Sequence, residues 1–137
     1  MGTWDKGAFD NDDAADFSGD LDDAEPGARV RLIREALTAA ADNADYLEAP
    51  EAFQAIAAAA VVASQQPDGP EVDSVYGPSF LSDGDSLDLP DELVELSLRA
   101  IARVLDEESE WREQWEEAEE LTEAIAALEP IRAALNR

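Results

Sequence analysis

The stretch Ala49–Ala63, APEAFQAIAAAAVVA, decides the fold. Proline at the second position has its backbone angle set for a first helical turn, and an acid follows at Glu51, where it faces the positive end of the helix dipole. Phe53, Ile56, Ala57, Ala60 and Val61 then recur at helical spacing and make a core face. From Ala55 to Ala63 the segment is apolar on every side. A helix with no polar face has to be covered from several directions, so this one is expected at the centre of a bundle.

Helical spacing continues outward in both directions. Upstream, Val30, Ile33, Leu37, Ala40 and Ala44 form an apolar stripe over a helix from about Ala28 to Ala44. Before it, Asp10-Asn11-Asp12-Asp13 offers a cap and first-turn carboxylates for a short helix through Leu21. Ala14, Phe17 and Leu21 share one face of that helix, and Glu25-Pro26-Gly27 is expected to end it. Arg29, Arg31 and Arg34 open the second helix, where cations oppose the dipole, so they are expected to pair with the acids around Asp20 to Asp23 or to hold an anion. Downstream, Leu89-Pro90 starts a fourth helix through Leu93, Leu96, Ala100, Ile101, Val104 and Leu105 to about Asp106. The segment from Ser109 sets Trp111, Trp115, Ala118, Ile125 and Leu128 near a heptad rhythm, with a break expected before Pro130 and a short helix from Pro130 to Leu135. Residues 1–9 read as an extended arm, and 65–89, rich in proline and glycine, as one long loop pinned by Val75, Tyr76, Phe80 and Leu81. The expectation is one all-α domain over residues 1–137: a compact bundle of about five helices with an extended N-terminal arm and one long loop.

The chain has 137 residues, 34 acids against 9 bases, and a formal net charge of -25. Such a field repels nucleic acid phosphate and anionic membrane, so neither is an expected partner; it favours basic proteins and cations. Lys6 is the single lysine. Two accounts of the acidity stand side by side. In one, carboxylates adapt a cytoplasmic protein to high salt, where a Debye length of about 3 Å at 1 M screens their repulsion. In the other, they form a surface that meets a basic partner. Cysteine and histidine are both absent. Disulfides, thiolate metal sites, histidine ligands and histidine-activated nucleophiles are thereby excluded. No run approaches the roughly 20 apolar residues of a membrane span.

Acids at short spacing raise cation binding next. Neither Asp10-Asn11-Asp12-Asp13-Ala14 nor Asp83-Gly84-Asp85-Ser86-Leu87 has the glycine and distant glutamate of a calcium loop. Glu92 with Glu95, Glu113 with Glu116, and Glu117 with Glu120 have the spacing that sets two carboxylates on one helix face. All-helical nucleotide hydrolases hold Mg²⁺ with such pairs, and Glu92, Glu95, Glu117 and Glu120 are the candidate ligands if this chain is one. A solvated helix face explains the same spacing, so no cofactor is the primary expectation. Between Glu107 and Glu120 the acids are broken by Trp111 and Trp115. Facing inward, the tryptophans make a core seam; facing outward, they make an aromatic anchor framed by carboxylates.

Trp4, Gly7, Phe9, Asp10, Asn11, Asp12, Ala14, Asp16 and Phe17 closely resemble the opening G-x-W-G-x-G-x-F-[DE]-N-D-x-A-x-D-F of the prokaryotic family of domain of unknown function 4259. Tyr46-Leu47-Glu48-Ala49, Leu89-Pro90 and Ser109 to Glu117 look similar too. Asp5 stands where that pattern has glycine, and Ala60 where a glutamate is expected. The resemblance implies a compact helical domain and brings no assigned activity.

The functional expectation is a non-enzymatic acidic interaction module, an inhibitor or immunity-type partner of a basic protein. Its candidate binding residues are Trp4, Phe9, Asp10, Asn11, Asp12 and Asp16 on the arm and first helix, with Trp111 and Trp115.

Overall fold

The computed structural model describes residues 12–66 and 89–136; of Asp12 and Pro26 only the backbone is described. Six helices follow one another among these residues: α1 (Asp12–Asp23), α2 (Pro26–Ala41), α3 (Ala49–Ser64), α4 (Glu92–Val104), α5 (Glu110–Glu117) and α6 (Leu121–Leu135). No strand occurs among the described residues, and Leu47 and Ser109 form one isolated parallel bridge. The arm and most of the long loop, including Val75, Tyr76, Phe80 and Leu81, lie outside the described residues.

The helix expected at the centre is there. α3 buries Ala49, Ala52 and every residue from Ala55 to Ala63, and it packs against α1, α2, α4, α5 and α6. Alanine makes this possible, because a methyl lets neighbouring helix backbones approach where a longer side chain would hold them apart. Phe53 lies half-buried at the edge of the core. Ile33, Leu37 and Ala40 of α2, and Leu93, Ala100, Ile101 and Val104 of α4, cover α3 from two sides. Ser97 is buried within α4 and donates its hydroxyl to the Leu93 carbonyl (2.7 Å), so its polar group carries no desolvation penalty.

Several boundaries depart from expectation, each for a local reason. Pro26 does not merely end α1: it occupies the first turn of α2, which begins two residues earlier than Ala28. Arg29 then reaches back, donating from Nε to the Leu21 carbonyl (2.7 Å) and from Nη2 to the Asp22 carbonyl (3.3 Å). A cation at the negative end of α1 is favourable, which resolves its unfavourable place at the start of α2. Arg34 pairs with Glu92 (2.6 Å) rather than with the acids before it. α2 stops at Ala41, leaving Ala44 exposed outside the stripe assigned to it.

The last region divides at Glu119, not before Pro130. Glu119 has φ 61°, its amide donates to the Glu116 carbonyl (3.0 Å), and the Glu120 amide donates to the Trp115 carbonyl (2.9 Å). These are the two bonds of a Schellman ending, made here with glutamate in the left-handed position that glycine ordinarily takes. Ala118, expected on the buried face, is exposed at that ending. Pro130 instead lies inside a continuous α6. Its missing N–H frees the carbonyl four residues back, at exposed Ala126, where water can serve it.

Candidate functional site

The connection between α2 and α3 and the connection between α4 and α5 are clamped together by main-chain bonds. The Leu47 amide donates to the Glu108 carbonyl (2.9 Å), and the Leu47 carbonyl accepts from the Glu110 amide (2.8 Å). The Leu47 side chain is fully buried beneath this pairing, a gain of roughly 1.5–3 kcal/mol for a leucine. Arg103, near the end of α4, braces both connections. It donates from Nε to the Asn43 carbonyl (3.1 Å), from Nη1 to the Glu108 carbonyl (3.1 Å), and from Nη2 to Asn43 Oδ1 (3.4 Å) and the Asp45 carbonyl. Glu110 completes the clamp, its Oε1 accepting from the Ala49 amide (2.7 Å) at the start of α3. One of the free amides of the first turn of α3 is thus served by a carboxylate from α5, an attractive pairing with the helix dipole.

What the clamp presents outward is Tyr46, the exposed large hydrophobic side chain among the described residues at 42%. Its hydroxyl donates to Glu113 Oε1 (2.6 Å). The phenol is pushed up from 10.0 to about 12, first by that hydrogen bond, then by partial burial, then by the charges of Glu113, Glu110 and Glu117. Glu110, Glu113 and Glu117 fall at i, i+3 and i+7, one stripe of α5, so the helix lines a tyrosine with three carboxylates. Asp45 and Glu48 flank Tyr46 and are exposed. An aromatic face beside carboxylates suits a lysine or arginine side chain, which it meets with both cation–π attraction and ion pairing.

Trp111 and Trp115 take the inward arrangement: both are buried and meet edge to face at 6.5 Å and 67°. They secure α5 from below while Tyr46 occupies the exposed position beside the same helix. Ser109 holds the N-cap position of α5 with its hydroxyl buried and unbonded among the described residues, so the clamp uses its backbone neighbours rather than its side chain. Of the other expected site residues, Asp12 begins α1 and Asp16 is exposed on it, while Trp4, Phe9, Asp10 and Asn11 lie outside the described residues. Glu92 is held by Arg34, Glu95 and Glu117 are exposed, and Glu120 sits just past the Schellman ending. Among the described residues no three or more acidic side chains converge in an arrangement that could hold a metal ion.

Sequence reasoning passed over Tyr46 as a site residue. Its partner Glu113 is 67 residues away, and no spacing rule joins the two. The available signal was an aromatic between acids immediately before a strong helix start, Asp45-Tyr46-Leu47-Glu48. No helix among the described residues is long and apolar enough to cross a membrane. A family model described as a domain of unknown function, DUF4259, matches residues 2–127, in keeping with the resemblance of the opening motif. No curated protein and no solved structure matches the chain.

Proposed function

We propose that this chain, which belongs to the DUF4259 family, is a non-enzymatic interaction module whose Tyr46 face binds a basic protein. The observation that carries this reading is the exposed tyrosine lined by Glu110, Glu113 and Glu117 on a backbone held in place by main-chain bonds. A surface of this kind steers a cationic partner from a distance and then seats one of its side chains on the ring. The net charge of -25 supplies the long-range part. Blocking a basic protein in the manner of an inhibitor or immunity-type partner is the role such a surface fits.

The arginines favour the same reading. Arg34, Arg99, Arg112 and Arg132 are paired with Glu92, Asp42, Glu116 and Glu129, and Arg29 and Arg103 are spent on backbone carbonyls. Tyr46 and Glu113 keep an outward face for a cation from elsewhere.

The test is recovery of a partner from the native cell extract with wild type, Tyr46→Ala and Glu113→Gln. A basic protein retained by wild type, lost by both variants and released by rising ionic strength is the expected result. Equal retention by both variants would sink the assignment of this face.

A further inference from the structure

From Asp45 to Glu48 the chain passes through three peptide units whose inner ends are all engaged. The Asp45 carbonyl accepts from Arg103, the Leu47 amide donates to Glu108, and the Leu47 carbonyl accepts from Glu110. A trans peptide unit points its C=O and N–H in opposite directions, and no cis bond occurs among the described residues. The outer ends are therefore aimed away from the clamp: the Tyr46 amide, the Tyr46 carbonyl and the Glu48 amide, a row of donor, acceptor and donor. None of the three is hydrogen bonded among the described residues. Leu47 is buried between exposed Tyr46 and Glu48, the period-two alternation of a strand, and Glu48 has extended angles (φ -80°, ψ 154°). This is an open strand edge one bridged residue long.

We propose that this edge receives an extended segment of the basic partner as an added strand, a reading that rests on the function proposed above and gives that partner a shape. Main-chain bonds to Tyr46 and Glu48 would supply register, and alternate side chains of the incoming strand would fall beside Tyr46 and Glu48. Those positions are matched by lysine or arginine, because Asp45, Glu48 and Glu113 stand exposed around them and Tyr46 offers its ring. The edge closes at Glu48, whose carbonyl is taken by the Ala52 amide in the first turn of α3. A short segment is sufficient to fill it.

Glu48→Pro removes the outer donor at a residue whose φ already suits proline and whose amide the fold does not use among the described residues, and the residue before it, Leu47, is β-bridged rather than helical, as a following proline requires. Glu48→Ala is its control for charge. The probe is an acetylated decapeptide alternating arginine and valine, titrated into the full-length protein with backbone amides followed by NMR. Binding is expected to slow hydrogen exchange at Tyr46 and Glu48 and leave Leu47 unchanged. Glu48→Pro should bind about tenfold more weakly than Glu48→Ala, the loss of roughly one hydrogen bond. On wild type, the same peptide with its edge-facing amides N-methylated should lose a similar factor, an arm that does not depend on the proline variant folding. Binding that needs Tyr46 yet ignores both proline and N-methylation overturns the added strand and leaves the basic partner standing. Absence of peptide binding also overturns the edge, and the extract experiment then decides the partner separately.

Discussion

At Tyr46 a phenol, a short hydrogen bond and three carboxylates meet, and the combination has a definite proton chemistry. Glu113 and its neighbours favour the neutral phenol in the folded protein, lifting it from 10.0 to about 12. The sign follows: the stabilisation is complete below pH 10.0, the value of a free tyrosine, and is lost as pH rises through about 12. In a Tyr76→Phe background, phenolate absorbance should report Tyr46 ionising near pH 12, and Glu113→Gln should move the midpoint down. An unmoved midpoint would contradict the hydrogen bond as the main cause. Glu119 makes a different kind of demand. A side chain in the left-handed region costs roughly 1–2 kcal/mol, part of which glycine returns through its freer unfolded chain. Glu119→Gly should therefore raise stability by about 0.5–1 kcal/mol in a denaturant titration, and a lower midpoint at unchanged slope would count against the Schellman ending.

Among the elements, α1 carries an avoidable weakness in Gly19. The residue is exposed in mid-helix, and a Cβ built on it meets nothing within 4 Å. Gly19→Ala should stabilise by about 0.5–1 kcal/mol, read as a rise in thermal midpoint; a fall would mean that the bare backbone is needed at that position. How far the elements were legible follows from how local their signals are. α3 and α4 could be read because proline, first-turn acids and apolar spacing lie within a few residues of one another. The division between α5 and α6 could not, because its hinge is a glutamate in a position that sequence rules reserve for glycine. Pro130 misled for the converse reason: the rule that proline breaks a helix assumes a buried or needed hydrogen bond, and Ala126 is exposed. The candidate site was less legible still. The acids and the alanine core are written in order along the chain, whereas Tyr46 meets Glu113 only after the bundle has closed.

At the scale of the whole molecule, six arginines among the described residues, Arg29, Arg34, Arg99, Arg103, Arg112 and Arg132, are taken up in ion pairs or by main-chain carbonyls, and 34 acids against 9 bases leave a large excess of carboxylates. Their repulsion opposes folding over about 10 Å at 0.1 M salt and over about 3 Å at 1 M. The thermal midpoint should accordingly climb with potassium chloride across that range, and magnesium and calcium should do no more than their ionic strength accounts for. Sharp stabilisation by a low concentration of either divalent ion would instead reveal a carboxylate site. The Leu47–Ser109 bridge adds something that packing does not. It grips main-chain groups that every amino acid but proline possesses, and Arg103 likewise holds carbonyl oxygens at Asn43, Asp45 and Glu108. The fold therefore asks little of the side chains at Asp45, Tyr46 and Glu48. Side chains at these three positions can be exchanged for others while the line on which they are written stays where it is.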